Sequence, residues 1–206
     1  WTTADPALVR QRLRNFLAIL FLSKGVPMIV AGDEFGRTQN GNNNPWALNT
    51  IGMWANYAQA ATNRPLQLPV DPDHPSDCGM YYDVFGEATC STDMNPVFGF
   101  TTYLAHLRQR NRLLRPDEWG SLSRPRGKAP FEFRNPADTD GPATGDQALA
   151  FRIHAEGAKG NHGDLYVLIN MSPESVDFVI PPPDEDREWR RLIDTYAAFE
   201  WCHNSW

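Results

Sequence analysis

The sequence has no excess of positive charge, no membrane-length apolar run and no cysteine pair at metal or redox spacing. With 19 Lys and Arg against 25 Asp and Glu, its formal charge is −6. That argues against a nucleic-acid partner, because neutralising phosphates requires a basic face. No apolar stretch approaches the roughly 18 residues that a membrane span needs, so no membrane partner is expected. No signal peptide opens the chain, and the expected location is cytoplasmic. The first residue is Trp1 rather than Met, as in a processed product or a piece of something longer. Cys78, Cys90 and Cys202 form no CxxC pair, and an odd count leaves at least one without an internal partner. Cys78 and Cys90 could bridge in an exported protein, but reduced thiols are the rule in the cytosol. There is no Gly-x-Ser-x-Gly elbow and no phosphate loop. The five histidines have no ligand spacing, so neither a metal nor a cofactor is expected. Asn170-Met171-Ser172 matches the glycosylation sequon, but without an export signal it reads as a chance match.

What is present is an ordinary globular composition. Hydrophobic residues make up 41% and charged residues 21% of 206 positions, enough for a packed core in one large or two small domains. Aromatics reach 12%, with seven Trp. Such residues fill cores and also stack on sugars.

The opening segment predicts a helix over residues 5–24. Asp5 and Pro6 suit an N-cap and a first turn. Leu8, Val9, Leu13, Phe16, Leu17, Leu20 and Phe21 recur at helical spacing, and Lys24-Gly25 closes the pattern. The next stretch, "VPMIVAG", contains no polar residue. Continuous apolarity of this kind predicts a parallel strand over residues 26–31, buried on both faces. Residues 36–97 show no sustained period, and a loop that long is usually functional or inserted. A second helix is expected over residues 98–115, with Pro116 as its stop. Short alternating segments at 130–134, 148–154, 164–170, 175–180 and 188–194 then predict an antiparallel β-domain beginning near residue 117. The polar segment 135–146 reads as a loop between its strands.

The segment "GDEFGRTQNGNNNPW", residues 32–46, places two adjacent carboxylates at the end of the expected strand. A retaining glycosidase needs two carboxyl groups about 5–5.5 Å apart flanking one bond. Neighbours on a strand point to opposite faces, so Asp33 and Glu34 do not form such a couple. The expectation is that one carboxylate pairs with Arg37 or caps backbone amides. The amides of Asn42, Asn43 and Asn44 both donate and accept, which suits a hydroxyl-rich ligand. The same residues are also plain turn formers, and the sequence leaves both roles open.

The stretch "RQRLRNFLAILFLSKGVPMIVAGDEFGRTQNGNNN" closely resembles the last barrel segment of isoamylase-type glycogen and starch debranching enzymes, in the α-amylase superfamily. The family pattern falls on Gln11, Arg12, Arg14, Asn15 and Phe16, then on Gly25, Val26 and Pro27. It continues on Gly32, Asp33, Glu34, Arg37, Thr38 and Asn42 to Asn44. Trp54 and Tyr57 match a W-x-x-Y found after the asparagines. "YLAHLRQRNRLLRPDEW" is similar to the final barrel helix, with Asn111-Arg112-Leu113 in place of H-P-A. "DLYVLINMSPESVDFVIPPP" and "EWRRLIDT" look like strands of the C-terminal sandwich. The resemblance covers roughly residues 8–57 and 98–196. It departs at Pro45 and Trp46, where the family reads Ala-Tyr, and residues 58–97 have the look of an insertion.

The resemblance implies an α/β barrel fragment, the last βα segment of a TIM barrel, over residues 1–116. An antiparallel β-sandwich, expected to be incomplete, would follow over residues 117–206. The implied activity is cleavage of α-1,6 branch linkages in glycogen or related α-glucans. The alternative is a non-catalytic glucan-binding or subunit-assembly module. A complete barrel takes about 250 residues, and the family's catalytic Asp, Glu and Asp come from strands that this chain does not contain. No catalytic residue is therefore assigned here, and the chain alone is expected to be inactive. The implied partners are a branched α-glucan and the remainder of the barrel. Arg37, Asn42, Asn43, Asn44 and Trp46 would line or brace the glucan groove, and Asp33 and Glu34 would be structural beside it.

Overall fold

The computed structural model describes residues 6–37, 44, 46, 55, 57–60, 95–115, 131–139, 141–155, 163–183, 187–196 and 204–205. The chain divides into two compact units, Trp1–Arg110 with Arg191–Trp206, and Asn111–Arg190.

The first unit is built on two helices, α1 (Pro6–Leu22) and α2 (Pro96–Arg110). Leu17, Ala18 and Phe21 of α1 meet Val97, Phe100 and Leu104 of α2 in one apolar cluster, with Leu13, Ile29 and Ile193 packed against it. Two buried arginines bind backbone carbonyls around this core. Arg14 donates from Nε to the Thr195 carbonyl at 3.1 Å. Arg108 reaches from α2 to the end of α1 and donates to the carbonyls of Phe21, Ser23 and Gly25. The first is among those that a helix terminus leaves without an internal partner, and the other two follow it in the exit from α1. Asn95 caps α2, its Oδ1 accepting from the amides of Val97 and Phe98.

One expectation, the end of the second helix, needs correction here. The second helix stops at Arg110, five residues short of its expected end. Asn111 takes an extended conformation and uses its side chain to cap a separate short turn at Arg112–Leu114, which breaks the helical ladder. Residues 26–30 form no strand ladder among the described residues. Ile29 packs inward, while Val26, Met28 and Val30 are 93%, 87% and 59% exposed. The segment is extended with one side covered, not buried on both faces. A strand holds its place through ladder partners on both edges, and none is present among the described residues.

The second unit carries an antiparallel sheet in the order β1-β2-β3, with β1 at Phe131–Arg134, β2 at Ala148–Ile153 and β3 at Leu165–Asn170. Its register pairs Phe131 with Ile153, Phe133 with Phe151 and Arg152 with Tyr166. Successive side chains alternate between faces, so one face collects Phe131, Phe133, Leu149, Phe151, Ile153, Leu165, Val167 and Ile169. Ring contacts at 6.2 and 5.7 Å from Phe151 to Phe131 and Phe133 confirm that grouping. The opposite face carries Glu132, Arg134, Arg152 and Tyr166. Three of the five expected strands thus form within a residue or two of their expected bounds. The segments expected at 175–180 and 188–194 make no ladder among their described residues. One backbone bond, Val179 amide to Pro136 carbonyl, ties the former to the loop after β1. No helix among the described residues is long and apolar enough to cross a membrane.

Candidate functional site

The Gly32–Arg37 turn is shaped by its own side chains. Gly32 sits at φ +100, a conformation that side-chain-bearing residues avoid, and Gly36 at φ +75 closes the short Asp33–Phe35 helical turn. A Cβ on Gly32 would lie 2.3 Å from Cδ of Arg37, whose side chain folds over the glycine. Both carboxylates are spent locally. Asp33 Oδ2 accepts from the Val30 amide at 3.0 Å, and Glu34 Oε2 accepts from the Gly32 amide at 2.8 Å. Arg37 Nε lies 3.5 Å from Asp33 Oδ1, with its side chain largely covered. The sequence suggested that one of the two acids would pair with Arg37 or cap backbone amides and that the other would face the barrel or its rim. Instead both cap amides.

Two residues that sequence reasoning did not place at the site hold this turn to the rest of the first unit. Tyr57 meets Phe35 edge to face, with centroids 5.3 Å apart. Slight desolvation, then the neighbouring Glu34 carboxylate, hold that exposed phenol above its ordinary range. Asn95 donates from Nδ2 to the Phe35 carbonyl at 3.2 Å while capping α2. The only sequence signal for Asn95 is its position immediately before Pro96, a cap-then-proline helix start.

Of the expected groove residues, Asn42 and Asn43 lie outside the described residues. Asn44 is exposed, and its Oδ1 accepts from the Trp46 amide at 3.2 Å, an Asx turn that presents the indole. Trp46 is 90% exposed. Arg37 is placed with the turn rather than with these two, pinned across Gly32. No group of three metal-ligating side chains occurs among the described residues. Chemically, the turn is a rigid mount with its acids already engaged, and Trp46 is an open aromatic face beside a polar amide.

Comparison with known proteins gives this arrangement its setting. Residues 135–204 match the family model described as isoamylase, C-terminal. An isoamylase from Flavobacterium sp is 29% identical over 193 residues, covering 90% of this chain and 21% of that enzyme. The chain matches the C-terminal part of an isoamylase-type debranching enzyme. Isoamylase 3, chloroplastic, from Oryza sativa subsp. japonica is 25% identical over 92% of this chain and 19% of its own length. A glycogen debranching enzyme from Serratia proteamaculans shares 43% identity over a shorter span, 28% of this chain and 9% of that protein. The chain spans about a fifth of the length of the isoamylases it matches.

Proposed function

We propose that this chain is the carboxyl-terminal portion of a glycoside hydrolase that cleaves α-1,6 branch linkages of glycogen or a related α-glucan. In this reading the catalytic Asp, Glu and Asp lie outside residues 1–206. The similarity to an isoamylase over 90% of the chain carries the proposal. The engaged carboxylates of Asp33 and Glu34 support the second part of it, since neither is available to attack or protonate a glycosidic bond. The one-sided exposure of residues 26–30 suits the last strand of a barrel whose neighbouring strands come from elsewhere. The apolar face of the β1-β2-β3 sheet likewise suits one layer of a sandwich. Reducing-end release from a branched glucan, measured for the chain alone and together with an upstream barrel portion, tests this. Debranching is expected only in combination, and activity from the isolated chain would overturn the proposal.

The exposed indole of Trp46 favours a second reading, a non-catalytic glucan-binding or assembly module. Pyranose rings stack on open aromatic faces, and amides such as those of Asn42, Asn43 and Asn44 bond sugar hydroxyls. Affinity electrophoresis in amylopectin separates the two. Retardation of the chain that is lost in Trp46→Ala supports binding at this loop, and identical mobility of both proteins removes it.

A further inference from the structure

His154 occupies an unusual position on the charged face of the sheet. It follows β2, is 7% exposed, and has a carboxylate on each side of its ring. Nδ1 lies 3.1 Å from Asp164 Oδ2, just before β3, and Nε2 lies 3.0 Å from Glu132 Oε2 on β1. Asp164 is deeply engaged: it also accepts from Arg152 Nε at 2.6 Å and from the Ala155 amide at 2.7 Å. Burial alone would raise its pKa, but the Ala155 amide, then Arg152 and His154, hold it below the usual carboxylate range. Glu132 is more open, 36% exposed against 10% for Asp164, and takes a second partner in Arg134 on its own strand. Further along the same face, the Tyr166 hydroxyl donates to Asp138, and burial followed by that carboxylate pushes its pKa up to about 12. Among the described residues Arg134 and Arg152 also face the cluster, Arg187 reaches Gly163 beside Asp164, and Trp189 covers Arg152 at 5.7 Å.

We propose that His154 is a proton-dependent clasp that fastens β1 to the β2–β3 hairpin. A carboxylate only accepts hydrogen bonds, so both ring contacts are satisfied together when the imidazole carries two protons. When the ring loses a proton it keeps the one on Nδ1, because Asp164 is the buried, multiply bonded acceptor. The Nε2 lone pair then faces the Glu132 carboxylate, and Glu132 turns to water and Arg134. β1, held at the sheet edge by a four-residue ladder, loses one of its anchors. The sign follows directly. The clasp is closed at pH below the imidazole's titration and opens as pH rises through it. At the acid end the Asp164 contact outlasts an ordinary carboxylate, because its pKa is depressed.

Hydrogen exchange on the full chain, corrected for intrinsic rates, tests this across a pH range chosen so that the nitrogen shifts of the His154 ring report its deprotonation. Protection of the β1 amides is expected to fall about tenfold over that range, the worth of one charge-assisted hydrogen bond. The β2–β3 amides should stay constant. Glu132→Gln should abolish the fall, because its amide donates to the neutral ring and its carbonyl still accepts from Arg134. Equal protection of β1 at both ends of the range, or an unchanged fall in Glu132→Gln, overturns the proposal. Nitrogen chemical shifts of the His154 ring in the unmodified chain give an independent measure. Nε2 should deprotonate first, and loss of the proton from Nδ1 instead would equally overturn it.

Discussion

At the scale of single residues, the chain spends side chains on its own backbone. The motif at residues 32–37 looks like chemistry because it sets two acids beside an arginine. In the folded turn those groups satisfy amides and each other, and glycine at position 32 lets Arg37 lie across it. Gly32→Ala should therefore cost about 2 kcal/mol, combining positive-φ strain with displacement of Arg37. Chemical denaturation followed by far-ultraviolet circular dichroism measures it. The double variant Gly32→Ala/Arg37→Ala should recover the displacement part while keeping the strain. A single variant as stable as the parent would show that the turn does not depend on this packing. The acids' duties were partly legible in the sequence, since adjacent strand-end carboxylates cannot converge on one bond. Tyr57 and Asn95 were not legible as partners of the turn. They lie about twenty and sixty residues beyond it, and nothing local in a sequence encodes that tertiary approach.

At the scale of elements, the hydrophobic periods of α1 and of the three strands were readable because each keeps its own repeat without interruption. The second helix was over-extended because Leu113 and Leu114 continue the apolar pattern past Asn111. The side chain of Asn111 competes for backbone bonds and wins, as Asn commonly does at caps. Residues 26–31 are a different case. Unbroken apolarity reports the environment that a segment suits, and in this chain only Ile29 finds one. What fixes that segment is Arg108, which fastens the end of α1 just before it. Arg108→Met should lower stability by about 3 kcal/mol, because three carbonyls lose a charged donor in a largely dry setting. Arg108→Lys should recover little of this, since a single ammonium cannot match a planar fork reaching three acceptors. Urea midpoints for the three proteins decide the matter, and a Met variant within experimental error of the parent would show the contacts to be incidental.

At the scale of the molecule, each unit shows apolar surface on an element that could pair or be covered. The first exposes Phe16 of α1 together with Val26, Met28 and Val30, and the second exposes Phe133 of β1 together with Met171, Val179 and Ile180. Single exposed apolar residues are ordinary, but an extended segment with three alternating ones and no ladder partner among the described residues resembles an unprotected sheet edge. Such edges pair with whatever strand is offered, including another copy of themselves. Residues 1–206 expressed alone should consequently self-associate with rising concentration and bind a dye that reports exposed apolar surface. Replacing Val26, Met28 and Val30 together by Thr keeps β-forming residues while removing the apolar stripe. Those replacements should reduce both signals without altering helix content, because the three side chains point away from the α1–α2 core. Co-expression with an upstream barrel portion should suppress the same signals in the unmodified chain. Sedimentation velocity across a concentration series supplies the measurement. A monodisperse monomer with no dye binding would mean that residues 26–30 are protected within this chain, and the barrel-strand proposal for them would fall.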